Sequence, residues 1–191
     1  MGVLFSSESS EPTDSLQKVI VRELTPRDAD GFRMLRLNCI KHDPYSFSVC
    51  LEEERCITHG QIYSMLVRFC HCSASKIWGA FIGEQLIGMI GLETLLGNVR
   101  QHRGIVTSLC VLPEYRGSGI GRVLVEVLIE HVRNNTSLRT LVLEVSATST
   151  AAIRLYEEQG FMHNGIEYDA LCYDGVYVNL YRMNLDLTRD A

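Results

Sequence analysis

The chain has 191 residues, 46% of them hydrophobic and 21% charged, enough to build one sizeable core, so one compact domain is the default reading. A formal net charge of -5 argues against a surface that tracks nucleic-acid phosphates, which needs excess Lys and Arg on one face. No apolar run approaches the roughly 20 residues needed to span a bilayer, and the N-terminus lacks the basic and apolar regions of a secretory signal, so the expected compartment is the cytoplasm.

Residues 1–17 are rich in Ser and Glu and poor in periodic apolar positions, which reads as a disordered tail and leaves 18–191 as a single folded domain. Met1-Gly2 followed by Ser6 also fits the N-myristoylation template, a weak membrane anchor in a eukaryotic cell. Val19, Ile20, Val21 and Leu24 make a first strand, and Thr25-Pro26 opens a helix carrying Phe32, Leu35, Leu37 and Ile40. A second helix is predicted over 51–69, with Glu52, Glu53 and Glu54 at its start. These acids suit a helix N-terminus, or form an acidic lip that attracts an amine.

The runs 77–82 and 86–92, separated by Gly83, form a hairpin, and 105–112 is a further strand. Val123, Leu124, Val127, Leu128 and Val132 recur at helical spacing, 141–145 is a short strand, and another helix begins near Ser149. Two final strands flank the turn Asp174-Gly175. The order is mixed α/β without the strict alternation of a doubly wound sheet. The seven cysteines read as free, mostly buried thiols, and Cys70-His71-Cys72 lacks a second ligand pair at zinc spacing, so no metal is expected.

The most informative segment is Ser108-Leu-Cys-Val-Leu-Pro-Glu-Tyr-Arg-Gly-Ser-Gly-Ile-Gly-Arg122, a strand that enters a helix through a glycine loop. Gly117, Gly119 and Gly121 allow positive φ and leave several N–H groups aimed at one point, where the following helix adds its positive end. An anion fits there; a bare strand-to-helix turn is the alternative. The spacing is neither G-x-G-x-x-G nor a Walker loop, since no Gly-Lys-Ser/Thr follows.

With Arg116, Gly119 and Gly121 in R-x-x-G-x-G positions, this segment resembles the acetyl-CoA pyrophosphate motif of the GNAT N-acetyltransferases. Leu143-Glu-Val-Ser-Ala and Ala152-Ile-Arg-Leu-Tyr-Glu-Glu-Gln-Gly-Phe161 are similar to that family's second motif. The resemblance implies a strongly twisted central mixed sheet of about seven strands flanked by about four helices, its fourth and fifth strands splayed for the pantetheine arm. It also implies acetyl-CoA as co-substrate, held by Leu109, Cys110 and Val111 along the strand, by Arg116, Gly117, Ser118, Gly119, Ile120, Gly121 and Arg122 in the loop, and by Ser149 and Tyr156. Ser149 stands where the family usually has Asn, which puts the local cofactor geometry in question. Homodimerisation is compatible with such a fold.

Glu144 is the one charged residue in 141–145, and its parity opposes Leu143 and Val145, so it projects from the other face of the strand. The resemblance suggests that it is the general base, acting through water; a strand-end Glu reaching solvent is the alternative. Tyr156 takes the position of the family's general acid, or is a core tyrosine. The implied activity is acetyl transfer to a primary amine of a small molecule or protein, against a CoA-binding regulatory module without catalysis.

Overall fold

The computed structural model describes residues 18–72, 75–94 and 99–188. The expected tail and its myristoylation pattern lie outside the described residues. Seven strands form one sheet: β1 (Val19–Glu23), β2 (Lys76–Ile82), β3 (Gln85–Thr94), β4 (Arg103–Val111), β5 (Thr140–Ser146), β6 (Met162–Tyr173) and β7 (Val176–Asp186), in the order β1-β2-β3-β4-β5-β7-β6. Every neighbouring pair is antiparallel except β4 and β5. The β6–β7 turn places both Asp174 (φ 48°) and Gly175 (φ 82°) in the left-handed region, as a tight two-residue hairpin requires.

Five helices accompany the sheet: α1 (Ala29–His42), α2 (Leu51–Cys56), α3 (His59–His71), α4 (Ile120–Asn135) and α5 (Thr150–Glu158). There is one more than expected because the segment 51–69 divides. Ile57 and Thr58 are extended, and Thr58 starts a new helix by accepting from the Gln61 N–H (3.3 Å) while Gln61 Oε1 accepts from the Thr58 N–H (2.8 Å). This reciprocal cap satisfies two orphan donors and outweighs continuation of the first helix.

Successive residues of β2 show how the core is layered. Trp78 meets the His131 ring of α4 edge-on at 5.0 Å, whereas a Cβ at neighbouring Gly79 would touch Leu24 and Leu86, the latter lying under Gly31 of α1. The helices α1 and α4 therefore cover opposite faces. Leu35, Ile40, Leu66, Ile87, Ile90, Leu124, Leu128 and Leu141 are all fully buried between these layers. Truncating one of them to Ala would remove about 2–5 kcal/mol. The thiols depart from expectation: only Cys39 and Cys110 are buried, and Cys56, Cys70 and Cys172 are exposed.

Two irregularities position the functional region. In β4 the register with β3 jumps from Met89↔Cys110 to Gly91↔Thr107, so Ser108 and Leu109 bulge opposite Ile90, and Ser108 takes φ 58°. In addition, β4 pairs with β5 only through Arg103, Gly104 and Ile105. Beyond Ile105 the two parallel strands part, as the family resemblance implied, and the edge of β4 that faces β5 has no strand partner.

Candidate active site

The parted strands open into a cleft of about 990 Å³, lined by β4, the glycine loop, the ends of β5 and α5, and the chain between α1 and α2. At one end, Pro113–Tyr115 forms a short turn, Gly117 (φ 75°) and Gly119 (φ 86°) take left-handed conformations, and α4 begins at Ile120. A Cβ at either glycine would meet nothing within 4 Å, so their requirement is conformational rather than spatial. Gly121 corrects the expectation of positive φ: it lies inside α4, and its Cβ would come within 3.2 Å of Leu155 Cδ2. Its smallness lets α4 and α5 approach each other.

The first turn of α4 leaves the N–H groups of Ile120, Gly121 and Arg122 without helical acceptors, adding partial positive charge at the cleft. The loop's side chains are largely engaged in holding its shape. Arg116 Nε donates to the Val111 carbonyl (3.1 Å) with Nη1 3.9 Å from Asp43, and Ser118 Oγ donates to the Tyr115 carbonyl (2.5 Å). Arg122 pairs with Glu158. The anion-binding capacity of this end therefore rests chiefly on backbone.

Leu109, Cys110 and Val111 line the middle of the cleft along the open edge of β4. The Cys39 thiol of α1 beside it, together with burial, pushes the Cys110 thiol well up, so it stays protonated. Tyr156 is buried at 6% exposure, its ring edge-on to Phe161 at 5.5 Å. Burial raises its hydroxyl above the ordinary tyrosine range, so it remains a proton donor throughout the neutral range.

Glu144 projects from the opposite face to Leu143 and Val145, as its parity requires, and lines the same cleft half exposed. Its carboxylate accepts from Arg182 Nε (3.0 Å), and Arg182 reaches Glu167 with its other arm (2.5 Å), forming a ladder across β5, β7 and β6. Ser149 Oγ lies 2.5 Å from Ser46 Oγ, tying the start of α5 to the segment after α1. Every predicted site residue except Ser118 lines the cleft, with Ser118 in the loop at its rim.

The contacts inside the α1–α2 region were not legible in the sequence. Arg36 donates to Glu54 at 2.5 and 2.8 Å, a pair in which Glu54 is 2% exposed. Glu53 accepts from the Cys50 N–H (3.0 Å) as a helix cap. Two of the three acids at this helix start are thus committed to local structure. The buried Glu54 carried no signal beyond its place in an acidic run.

An open strand edge next to a helix N-terminus, with a protonated tyrosine and a carboxylate on one cleft, suits an elongated ligand with an anionic end and a reactive acyl group. The acetyltransferase (GNAT) family model matches residues 46–161. The chain belongs to this family, whose members use acetyl-CoA. It is 28% identical over 95 residues to a spermidine N(1)-acetyltransferase of Vibrio cholerae, covering 50% of this chain and 55% of the relative. It is 44% identical over 54 residues to a ribosomal-protein alanine N-acetyltransferase of Escherichia coli, covering 28% of this chain and 36% of the relative. The chain spans about half or less of the length of the curated relatives it matches. Among solved structures, an acetyltransferase from Salmonella typhimurium determined with its cofactor acetyl-CoA superposes with TM-score 0.79 at 16% identity, covering 91% of this chain and 96% of that one.

Proposed function

We propose that this chain transfers an acetyl group from acetyl-CoA directly to a primary amine, with Glu144 as general base through water and Tyr156 as general acid. The observation that carries this reading is that both side chains line the cleft that also holds the glycine loop and the open edge of β4. When bound, acetyl-CoA supplies an activated acyl carbon and a thiolate leaving group.

The pyrophosphate would be held at the N-terminus of α4, where the N–H groups of Ile120, Gly121 and Arg122 have no helical acceptors beside the left-handed Gly117 and Gly119. The pantetheine arm would be held along Leu109 to Val111, where the edge of β4 that faces β5 is unpaired, and a backbone N–H there would polarise the acetyl carbonyl. Ser149, held by Ser46, closes the α5 side of this arm. The Tyr156 hydroxyl, kept protonated by burial, supplies a proton to the departing sulfur. Glu144 takes the proton that the ammonium must lose before it attacks; Arg182 holds it in place. Cys110 takes no covalent part, because its raised pKa leaves too little thiolate.

The relatives named above act on spermidine and on a protein alanine, and both are amines of the class proposed here. The test is amine-dependent release of free CoA thiol from acetyl-CoA, beside calorimetric binding of acetyl-CoA. Binding with release from at least one amine supports the enzyme. Binding without release from any amine of a broad panel returns the chain to a CoA-responsive regulatory module, and absence of binding overturns the site itself.

A further inference from the structure

A second cavity, of about 480 Å³, lies beyond the end of β5 and is lined by Tyr45, Thr148, Asp169, Tyr177 and Val178 among others. Its lining adjoins that of the active-site cleft along the chain. Thr148 stands two residues after Ser146, which ends β5 within the cleft, and Tyr45 precedes Ser46, which lines the cleft and touches Ser149.

This cavity owes its acid to a break in β6. The register passes from Glu167↔Leu180 to Leu171↔Val178, so Tyr168, Asp169 and Ala170 stand opposite Asn179 alone. Asp169 adopts φ 50°, and its N–H donates to Asn179 Oδ1 (2.9 Å). That bond fixes the strained turn while leaving the carboxylate uncommitted. Among the described residues no cation pairs with it, and Tyr45 and Tyr177, both exposed, line the same pocket. The nearest charged array, Glu144–Arg182–Glu167, adds two carboxylates to one guanidinium. Arg100 and Arg103 lie at the opposite end of the cleft, with Arg103 six strand residues, roughly 20 Å, from Leu109.

From this arrangement we infer that the cavity receives a second positive charge on the acceptor, held by the Asp169 carboxylate and the rings of Tyr45 and Tyr177 while the neighbouring amine is acetylated. The acceptor class is thus a diamine or polyamine, or a peptide amine next to a basic side chain, rather than a simple monoamine. An exposed carboxylate in one pocket with two tyrosines binds ammonium through charge, with the ring quadrupoles adding to it. The inference rests on the acetyl-transfer reading and sharpens it.

The experiment compares putrescine with n-butylamine as acceptors for the full chain and for Asp169→Asn. Asn tolerates left-handed φ nearly as well as Asp, so the bulge survives the substitution. Expected is a loss of about tenfold in kcat/KM for putrescine with butylamine unchanged, and a putrescine KM that rises with salt only in the unsubstituted protein. Tyr177→Ala, at an exposed position, lowers kcat/KM for putrescine a few-fold with the same selectivity. Equal loss for both amines, or no loss for either, overturns the inference. Should no amine release thiol, the acetyl-transfer reading fails by itself, and calorimetry of putrescine on the CoA-saturated protein decides the cavity. Binding that weakens about tenfold in Asp169→Asn supports it, and binding that is absent or unchanged overturns it.

Discussion

The two ends of the cleft are built from different materials. At the end proposed for the cofactor the available donors are backbone N–H groups, fixed by glycine conformations and by side chains such as Arg116 and Ser118 that turn back on the loop itself. At the end proposed for the acceptor the available groups are side chains: Glu144, Arg182 and Glu167 laid across three strands, and Asp169 in a bulge. Backbone recognition suits a ligand that every member of a family shares, because it survives drift of most side chains. Recognition by side chains on separate strands can be rewritten one residue at a time, which suits an acceptor that differs between relatives.

Substitutions at the two ends should therefore fail in different ways. The largest effect is expected where the ends meet: Tyr156→Phe should lower kcat about a thousandfold, with acetyl-CoA affinity nearly unchanged by calorimetry. Because burial raises this hydroxyl's pKa, it should contribute no alkaline limb to the pH–rate profile within the ordinary tyrosine range. Gly119→Val forces a branched residue to φ 86° at the N-cap of α4 and should weaken acetyl-CoA binding about a hundredfold, with little change in the relative preference among amines. Glu144→Gln should cost about tenfold in kcat near neutrality, since water still reaches the open cleft. A kcat effect at Gly119 that exceeds its binding effect would blur the distinction between the ends.

The smallest effect serves as a control away from both ends. Asp28 accepts hydrogen bonds from Arg22, 46% exposed, and from Thr25, and these bring its carboxyl down to about 2. A carboxyl depressed in the folded state stabilises the protein above its unfolded value of about 3.9, and that stability is lost as pH falls through about 2. After discounting for solvent screening, Asp28→Asn should cost about 1 kcal/mol at neutral pH in a urea melt. The difference should close by pH 2, with turnover unaffected throughout.

The same contrast governs what was legible in the sequence. The glycine loop could be read because positive φ at Gly117 and Gly119 demands a residue type at fixed spacing, and the strand and helix around it show clear periodicity. Glu144 and Tyr156 could be read as candidates from strand parity and the neighbouring motif. The contact of Ser149 with Ser46 spans 103 residues and depends on how the sheet brings two segments together, so no local pattern announces it. Asp169 was hidden for a related reason. Its orientation follows from a register slip between β6 and β7, and an alternation of residue types does not say where a ladder will skip. The break between α2 and α3 was legible in principle, since Thr58-x-x-Gln61 is a helix-start pattern inside an otherwise continuous amphipathic run.

The bulges of β6 have a further consequence, for solubility. β6 is the outermost strand of the sheet, twelve residues long and exposed over most of its length, with Ile166 and Tyr168 facing solvent. A flat edge of that length would template pairing with a neighbouring chain. Because the register slips twice, no more than three consecutive residues stay in step with β7, and the edge bends before a foreign strand could zip along it. The irregularity that turns Asp169 into its cavity thus also keeps the sheet finite.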